Sequence, residues 1–224
     1  ITLLLVGKTA FPYIMEGISL YEKRISFYVN YNRIDIPELK GAKDLCYDFN
    51  QLRPSDTAGQ QRIMRQLLGR TAGDSFCIVA PFWCDYGYNI EIGENFFANH
   101  NTVILDGAKV KFGNNVFVAP NCGFHTAGHP IDAERRNQGL EYAYPITVGD
   151  NVWIGAGVQV MPGVTIGSNV VIGGGSVVVK DIPSNVVAVG NPCRVVRPIT
   201  DALSTIFAFN LLTFMFSLLS VILF

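Results

Sequence analysis

The chain has 224 residues, of which 49% are hydrophobic and only 16% are charged, and 17 Lys and Arg against 18 Asp and Glu leave a formal net charge of −1. This balance argues against a nucleic-acid-binding domain, which would need a surplus of cations to displace counterions from phosphates. The apolar content suffices for a substantial core in one domain or two small ones, and it excludes disorder over most of the chain.

Two helices are predicted in the first third of the chain. Pro54-Ser55-Asp56 divides a helical pattern between Lys40 and Leu68 into two helices, and Ser55 or Asp56 can cap the second one. We therefore separate a helical region over residues 37–76 from the segment over residues 1–36 that precedes it. The apolar positions of the pattern are Leu45, Phe49, Leu52, Ile63, Leu67 and Leu68.

Branched aliphatic residues recur every six positions in the second half of the chain, at Val148, Ile154, Val160, Ile166, Ile172 and Val178. A second series lies four residues after the first four of these, at Val152, Val158, Val164 and Val170. Glycine often follows the first series directly, where a strand must turn a corner with φ angles that suit Gly or Asn, as at Gly149, Gly155, Gly167 and Gly173. A period of six belongs to neither a helix nor a single strand. It predicts one short strand and one turn per hexad, stacked as a parallel β-helix.

The same six-residue pattern occurs earlier in the chain, around Ile90–Ile92 and Val110–Phe112. The β-helix domain is therefore predicted over residues 77–200. The stretch from Gly123 to Tyr144 breaks the period and carries a group of charges, at Asp132, Glu134, Arg135 and Arg136. We predict that residues 123–144 form a loop that leaves the β-helix. Long loops in compact repeat proteins are usually functional.

The last segment, residues 202–224, contains no charged residue. Its length reaches the roughly 20 apolar residues that span a bilayer as a helix, and Arg194 and Arg197 before it would suit a cytoplasmic side. Two other interpretations stay open, because composition alone cannot separate them from an anchor. The tail can pack on the globular body or an oligomer interface, or it is non-native sequence from a faulty gene model.

Five cysteines are present, an odd number, and no two are spaced as Cys-x-x-Cys. A disulfide scaffold or a structural zinc site is therefore not expected. Reduced thiols in a cytoplasmic protein, with or without the C-terminal anchor, are the simpler interpretation.

Residues from about Leu45 to Arg197 resemble the hexapeptide-repeat acyltransferases. The resemblance is strongest to the maltose/galactoside O-acetyltransferase group, which includes nodulation acetyltransferases. Gly128-His129-Pro130 in the loop, followed by Pro145 sixteen residues after the His, is more specific than the hexads. The other matching phrases are Asp85-Tyr86-Gly87-Tyr88-Asn89-Ile90, Asn95-Phe96-Phe97-Ala98-Asn99, Pro145 to Gly155, and Gly190-Asn191-Pro192-Cys193-Arg194.

The resemblance implies a single-stranded left-handed parallel β-helix that assembles as a homotrimer, with an active site between neighbouring subunits. It implies transfer of an acetyl group from acetyl-CoA to a hydroxyl of a sugar such as maltose, glucose or a galactoside, without a metal. Residues 1–36 depart from the family pattern, which leaves the acceptor undetermined.

His129 matches the family's catalytic base. A hydroxyl is a poor nucleophile until a base takes its proton, and imidazole, with a reference pKa of about 6.5, suits that task near neutrality. By the same matching, Asp85, Asn99 and Asp106 would bind the acceptor sugar. The alternative role of Asp85 and Asn99 is turn-making at a corner of the β-helix, to which Asp and Asn are suited.

The coenzyme side is matched to the later turns. The resemblance implies that Ala156, Gly174, Val179 and Lys180 line the groove for the pantetheine arm. Arg194 and Arg197 would bind the phosphates of the coenzyme, because the planar guanidinium group can donate two parallel hydrogen bonds to a phosphate. Trp153 would pack beside the thioester.

Three rival functions stay open. The chain has three histidines, His100, His125 and His129, and γ-class carbonic anhydrases place three histidines on zinc in the same fold. The acceptor can instead be an antibiotic or serine, with the fold and acetyl-CoA unchanged. An inactive scaffold is the third rival.

Overall fold

The computed structural model describes residues 2–6, 16–17, 19–21, 32–36 and 41–200. The predicted membrane anchor at residues 202–224 lies outside the described residues. No helix in the described ranges combines the length and the apolar character needed to cross a membrane. Near the amino terminus, strands β1 (Thr2–Val6) and β2 (Asn32–Ile36) pair in parallel, with Thr2 opposite Asn32.

Two helices follow, α1 (Ala42–Gln51) and α2 (Thr57–Leu67), as the sequence predicted. Asp56 is the N-cap of α2, since its carboxylate accepts a hydrogen bond of 2.9 Å from the backbone N–H of Gly59. The helices bury one apolar face each against the first turn of the β-helix, through Leu45, Phe49, Met64 and Leu67.

The remainder of the described chain winds through three sheets, which form three faces around one core. Face 1 contains β3 (Arg70–Thr71), β6 (Ile90–Ile92), β9 (Val110–Phe112), β14 (Ile146–Val148) and β17 (Thr165–Ile166). Face 2 contains β4 (Phe76–Ile78), β7 (Phe96–Ala98), β10 (Val116–Val118), β15 (Val152–Ile154), β18 (Val170–Ile172), β20 (Val186–Val189) and β21 (Arg194–Pro198). Face 3 contains β5 (Phe82–Cys84), β8 (Thr102–Leu105), β11 (Gly123–His125), β16 (Gln159–Val160) and β19 (Val177–Val178).

Each turn of the chain visits faces 1, 2 and 3 in that order and pairs in parallel with the turns above and below. Five turns are complete, and a sixth consists of a bridge from Ile182 to Ile166 and strand β20. Strand β21 then returns antiparallel to β20. The parallel β-helix predicted from the hexads is thereby confirmed.

The hexad residues form the core because their side chains point inward from short strands, which have two to four residues in the five complete turns. The members of the first series, from Val148 to Val178, are at most 1% exposed. In the earlier turns, rings from all three faces fill the centre: Phe112 lies 4.9 Å from Phe96 and 4.9 Å from Phe124, measured between ring centroids. Every turn therefore buries its aliphatic or aromatic residues against those one turn away.

The corner between faces 1 and 2 depends on asparagine. Asn95, Asn115 and Asn151 lie there with φ of 55–56°, in the left-handed region. Their amides bond along the stack, from Asn95 to Asn115 at 3.0 Å and from Asn115 to Asn151 at 3.1 Å. The same side chain thus satisfies the corner backbone conformation and links consecutive turns.

The glycines that follow the hexad series have a different role from the one expected. Their φ angles are not left-handed; that conformation falls two residues later, at Asn151 and Gly157, for example. A Cβ at Gly149 would lie 2.8 Å from the carbonyl carbon of Gly167, and one at Gly155 would lie 2.6 Å from the backbone nitrogen of Gly174. These positions need glycine because neighbouring turns approach too closely for a side chain.

A long excursion leaves face 3 after β11. This arm, residues 126–145, contains β12 (Ala127–Gly128), α3 (Ala133–Asn137) and β13 (Tyr142–Ala143), which pairs antiparallel with β12. The predicted loop begins at Gly123, whereas residues 123–125 form β11 because Phe124 belongs to the core. The predicted β-helix begins at residue 77, whereas Arg70–Thr71 already pairs with β6 on face 1.

Asn115 provides a test of the corner. In Asn115→Ala, the left-handed backbone costs about 1–2 kcal/mol and two amide hydrogen bonds are lost. In Asn115→Gly, the hydrogen bonds are lost but the backbone is not strained. We expect urea unfolding to show a larger loss of stability for Ala than for Gly, and equal losses would contradict this explanation of the corner.

Candidate functional site

Most of the residues predicted for the site lie along two edges of the β-helix. The edge where face 2 meets face 3, the 2/3 edge, carries Asn99, Ala156 and Gly174. The edge where face 3 meets face 1, the 3/1 edge, carries Asp85, Asp106, the arm with His129, Val179 and Lys180. Trp153 lies on the outward side of face 2. The structure therefore brings the predicted residues together in two groups within one chain.

An open groove of about 490 Å³ on face 2 joins two of the predicted residues, Asn99 and Trp153. Trp153 is 58% exposed. The amide oxygen of Asn99 accepts a hydrogen bond of 2.8 Å from the backbone N–H of His100, which fixes the orientation of the side chain. The groove is otherwise lined by Val118, Ala119, Phe97 and Phe117, none of which was predicted as a site residue, and the two Phe side chains point outward. Their outward position depends on strand register, which the motif alone did not show.

Small residues continue from this groove along the 2/3 edge. Ala156 and Gly174 are exposed on consecutive turns, and a Cβ at Gly174 would lie only 3.1 Å from the carbonyl oxygen of Ala156. The carbonyl of Ala156 is bonded to the N–H of Gly175 at 2.7 Å. Four steps of about 4.8 Å separate the turn of Asn99 from that of β20, so an extended ligand can lie against roughly 19 Å of backbone.

Two arginines, Arg194 and Arg197, lie beyond the last of these small residues. Arg194 is opposite Val189, the last residue of β20, and its guanidinium donates to the carbonyl of Cys193 at 2.8 Å. Arg197 is opposite Val187, farther along face 2. Val179 and Lys180 follow β19 and are exposed on the 3/1 edge, so within one chain they lie apart from Ala156 and Gly174.

His129 lies on the arm directly after β12, and its side chain is 54% exposed. Its Nδ1 lies 3.3 Å from the carbonyl oxygen of Leu140. A carbonyl can only accept, so this contact places the proton on Nδ1 and leaves Nε2 with a lone pair. In this tautomer Nε2 is the ring nitrogen that can accept a proton.

Glu141 faces the other nitrogen of His129, with its Oε1 at 3.7 Å from Nε2. Both side chains are more than half exposed, His129 by 54% and Glu141 by 63%. Sequence reasoning missed Glu141. It lies across the arm from His129 only because Tyr142 pairs with Gly128, and that register was not readable from the charges of the loop.

Asp106, which was predicted to bind the acceptor sugar, lies in the interior. Its side chain is fully buried, and its carboxylate accepts hydrogen bonds from the backbone N–H groups of Asp85 at 3.1 Å, Tyr86 at 2.9 Å and Asn89 at 3.3 Å. Burial raises the pKa of Asp106, while these backbone donors act to lower it. Asp106 therefore holds the turn that carries the half-buried Asp85.

Thr126 connects this turn to the base of the arm. Its hydroxyl donates to the carbonyl of Leu105 at 2.6 Å and accepts from the N–H of Ala108 at 3.0 Å. Both partners flank Asp106 in the chain. Asp85, Asp106 and the arm of His129 thus belong to one hydrogen-bonded part of the 3/1 edge.

The outward surfaces of the faces differ in polarity. On face 2, paired outward residues are almost all apolar: Cys77, Phe97, Phe117, Trp153, Val171 and Val187. On face 1, the corresponding residues are Arg70, Glu91, Lys111, Thr147 and Thr165. The row on face 2 leaves large apolar side chains on the surface of the single chain, with Phe117 49% exposed.

The other two histidines have protein partners. Nε2 of His125 lies 2.8 Å from the amide oxygen of Gln159, and Nδ1 of His100 contacts the carbonyl of Ala80. Across the part of the chain that the structure describes, no three His, Cys, Asp or Glu side chains are grouped so as to hold a metal ion.

The role of Asp106 can be tested by its effect on stability. Asp106→Ala leaves three backbone N–H groups without their acceptor in the interior, and we expect a loss of roughly 3 kcal/mol. Asp85→Ala removes a half-buried carboxylate and should cost less than about 1 kcal/mol. Denaturant unfolding of the two variants gives the comparison, and equal losses would contradict the positioning role of Asp106.

Comparison with known proteins agrees with this geometry. The family model for bacterial transferase hexapeptide repeats matches residues 145–180, and that for the maltose acetyltransferase hexapeptide capping motif matches residues 38–73. Galactoside O-acetyltransferase of Escherichia coli K12 is 48% identical over 168 residues, which cover 74% of this chain and 82% of the relative.

Two solved structures have the same fold with a TM-score of 0.70. A maltose O-acetyltransferase from Clostridium difficile 630 is 53% identical, over 71% of this chain and 84% of that one. A galactoside acetyltransferase in complex with coenzyme A is 46% identical, over 72% of this chain and 80% of that one. The chain therefore belongs to the hexapeptide-repeat acetyltransferases, in the group of the maltose and galactoside O-acetyltransferases.

Proposed function

We propose that this chain transfers an acetyl group from acetyl-CoA to a hydroxyl of a sugar, with His129 as general base, at a site completed between protomers of a homotrimer. The observation that carries the proposal is the contact of His129 Nδ1 with the Leu140 carbonyl, which leaves Nε2 free to accept a proton. The similarity to a galactoside acetyltransferase that binds coenzyme A supports the donor and the class of acceptor.

The transfer needs one proton carrier. As the acceptor hydroxyl attacks the thioester carbonyl, its proton passes to Nε2 of His129, and a new C–O bond forms. When the tetrahedral intermediate collapses, the C–S bond breaks and the sulfur of CoA takes the proton from Nε2. Neither a metal nor a covalent enzyme intermediate enters this sequence.

Asp85 and Asn99 are the polar groups assigned to the acceptor. A carboxylate accepts from sugar hydroxyls, and an amide both donates and accepts. Asp106 acts on the acceptor only through the turn that it holds, since its own oxygens bond to backbone N–H groups. In this role Asp106 is a positioning residue.

The strip of small residues on the 2/3 edge is assigned to acetyl-CoA. Ala156 and Gly174 let the pantetheine arm approach the backbone, and Trp153 lies beside the place of the thioester. Arg194, with Arg197 on the same face, would meet the phosphates as a charge-assisted donor. Val179 and Lys180 would contact the coenzyme from the 3/1 edge.

The separation of the predicted residues supports a trimeric site. His129 and Asp85 lie on the 3/1 edge, whereas Asn99 and the small residues lie on the 2/3 edge. Packing the 3/1 edge of one protomer against the apolar surface of face 2 on the next would join the two groups and cover the exposed Phe117 and Trp153. Closed symmetry then gives each protomer the same contact, and three copies give three equal sites.

An acceptor screen with acetyl-CoA and thiol detection tests the proposed class of substrate. The acceptors are glucose, maltose, galactosides, chitin fragments, serine and chloramphenicol. Release of CoA thiol that depends on a sugar supports the proposal. Release that depends only on serine or chloramphenicol, or no release with any acceptor, contradicts it.

His129→Ala removes the proton acceptor, and we expect turnover to fall by a factor of at least about a hundred. The fold and the oligomer should persist, because the side chain is half exposed on the arm. Steady-state kinetics and size-exclusion chromatography measure the two properties. Arg135→Ala, an exposed change on the same arm, is the matched control and should keep near-normal turnover; near-normal turnover in His129→Ala would overturn the assignment.

Arg194→Glu should raise KM for acetyl-CoA by about tenfold or more, because a charge-assisted hydrogen bond to phosphate is replaced by repulsion. KM for the acceptor should change little. Arg62→Glu alters an exposed residue of α2 by the same charge and serves as control. An unchanged KM for acetyl-CoA in Arg194→Glu would show that this arginine does not bind the coenzyme.

A further inference from the structure

Two cysteines from distant parts of the sequence meet beneath the Asp85 turn. Cys46 lies on α1 and Cys84 is the last residue of β5, 38 residues later in the chain. Their sulfur atoms are 3.6 Å apart, and the side chains are 0% and 5% exposed. Both thiols are free in the structure. Nothing in the proposed transfer of an acetyl group uses them.

The contact between the two elements is fixed by a second pair of hydrogen bonds. Asn50, one helical turn after Cys46, accepts from the backbone N–H of Phe82 at 2.8 Å and donates to the carbonyl of Phe82 at 3.0 Å. Asn50 thus joins α1 to β5 by two hydrogen bonds, at a position two residues before Cys84. The two sulfur atoms are therefore neighbours because the helix and the strand are clamped together, and their proximity does not depend on exposed, freely rotating side chains.

The two thiols have unequal acidity. The hydrogen bond between the two sulfur atoms lowers the pKa of Cys46 and, together with burial, raises the pKa of Cys84. A thiolate is the reactive form of cysteine, so Cys46 is the first to react and Cys84 follows. The other three cysteines lack such a pairing: Cys122 is bonded to the carbonyl of Gly155 at 3.2 Å, Cys193 is buried apart from them, and Cys77 is exposed.

We propose that Cys46 and Cys84 are a site of reversible oxidation, which forms a disulfide between α1 and β5 when the protein meets a peroxide. The Cys46 thiolate attacks one oxygen of hydrogen peroxide and the O–O bond breaks, which gives a Cys46 sulfenic acid and a hydroxide. The hydroxide takes up the proton that the Cys46 thiol released and leaves as one water. The Cys84 sulfur then attacks the Cys46 sulfur, the S–O bond breaks, and a second water leaves with the Cys84 proton. In total, two thiols and one peroxide give one disulfide and two waters.

The bond would fasten the amino-terminal helices to the first turn of the β-helix. It closes a loop of 38 residues that contains α2, β3 and β4, and such a loop removes much freedom from the unfolded chain. Formation requires the sulfur atoms to move from 3.6 Å to a bond length of about 2.05 Å, a small shift for two packed elements. The reverse reaction with a dithiol restores both cysteines.

Thiol counting after oxidation tests the proposal independently of any enzymatic activity. The full chain with Cys77→Ser has four cysteines, since the native chain has five. After treatment with hydrogen peroxide, unfolding and alkylation with N-ethylmaleimide, we expect two labels, and a peptide containing Cys46 should be linked to one containing Cys84. Dithiothreitol should restore four labels. Four labels without reduction, or a loss through sulfinic acids, would overturn the proposal.

Two further variants test whether the disulfide forms specifically between Cys46 and Cys84 and not between any two buried cysteines. Cys46→Ser added to Cys77→Ser should abolish the linked peptide, whereas Cys122→Ser added to the same background should keep it. Thermal unfolding provides a second readout: the oxidised protein should melt about 5 °C higher than the reduced protein. A lower melting temperature after oxidation would contradict the fastening role of the bond.

Discussion

Stacking of one chain turn on the next is the constraint on which the rest of the structure depends. Parallel strands must lie about 4.8 Å apart to share hydrogen bonds, so every residue of a turn has a fixed neighbour in the turn above. The hexad puts an aliphatic residue inside at each strand and a small or left-handed residue at each corner. Gly149 and Asn151 show both corner requirements, close approach for the former and a left-handed φ for the latter.

The same constraint explains where chemistry can occur. Regular turns offer flat faces and narrow edges, and they repeat too strictly to build an enclosed pocket. The arm at residues 126–145 is where the described turns are interrupted, and it carries His129 and Glu141. The polar residues at its base, Thr126 and Asp106, bond to backbone groups of the adjacent turns. A rigid scaffold thus supports the irregular segment that holds the proposed base.

Buried polar groups beside this segment serve to position others. Burial disfavours the charged form of Asp106, and three backbone donors offset part of this effect and define the Asp85 turn. Asn50 clamps α1 to β5 a few residues away and brings Cys46 to Cys84. The first turn of the β-helix and the amino-terminal helices therefore form one connected support beneath the acceptor side of the proposed site.

The sequence by itself determined three parts of the fold, because each depends on a local signal. The period of six indicates the β-helix, Pro54-Ser55-Asp56 separates the two helices before it, and the interruption of the period marks the loop that carries His129. Phrase matching also determined the family. Only the tertiary structure decided which residues meet: Glu141 with His129, Asp106 with backbone N–H groups, and Cys46 with Cys84. These contacts depend on strand register and on the direction of side chains in neighbouring turns. The hexad pattern does not contain this information, because it is the same whether a polar residue beside a hexad position faces the interior or the solvent.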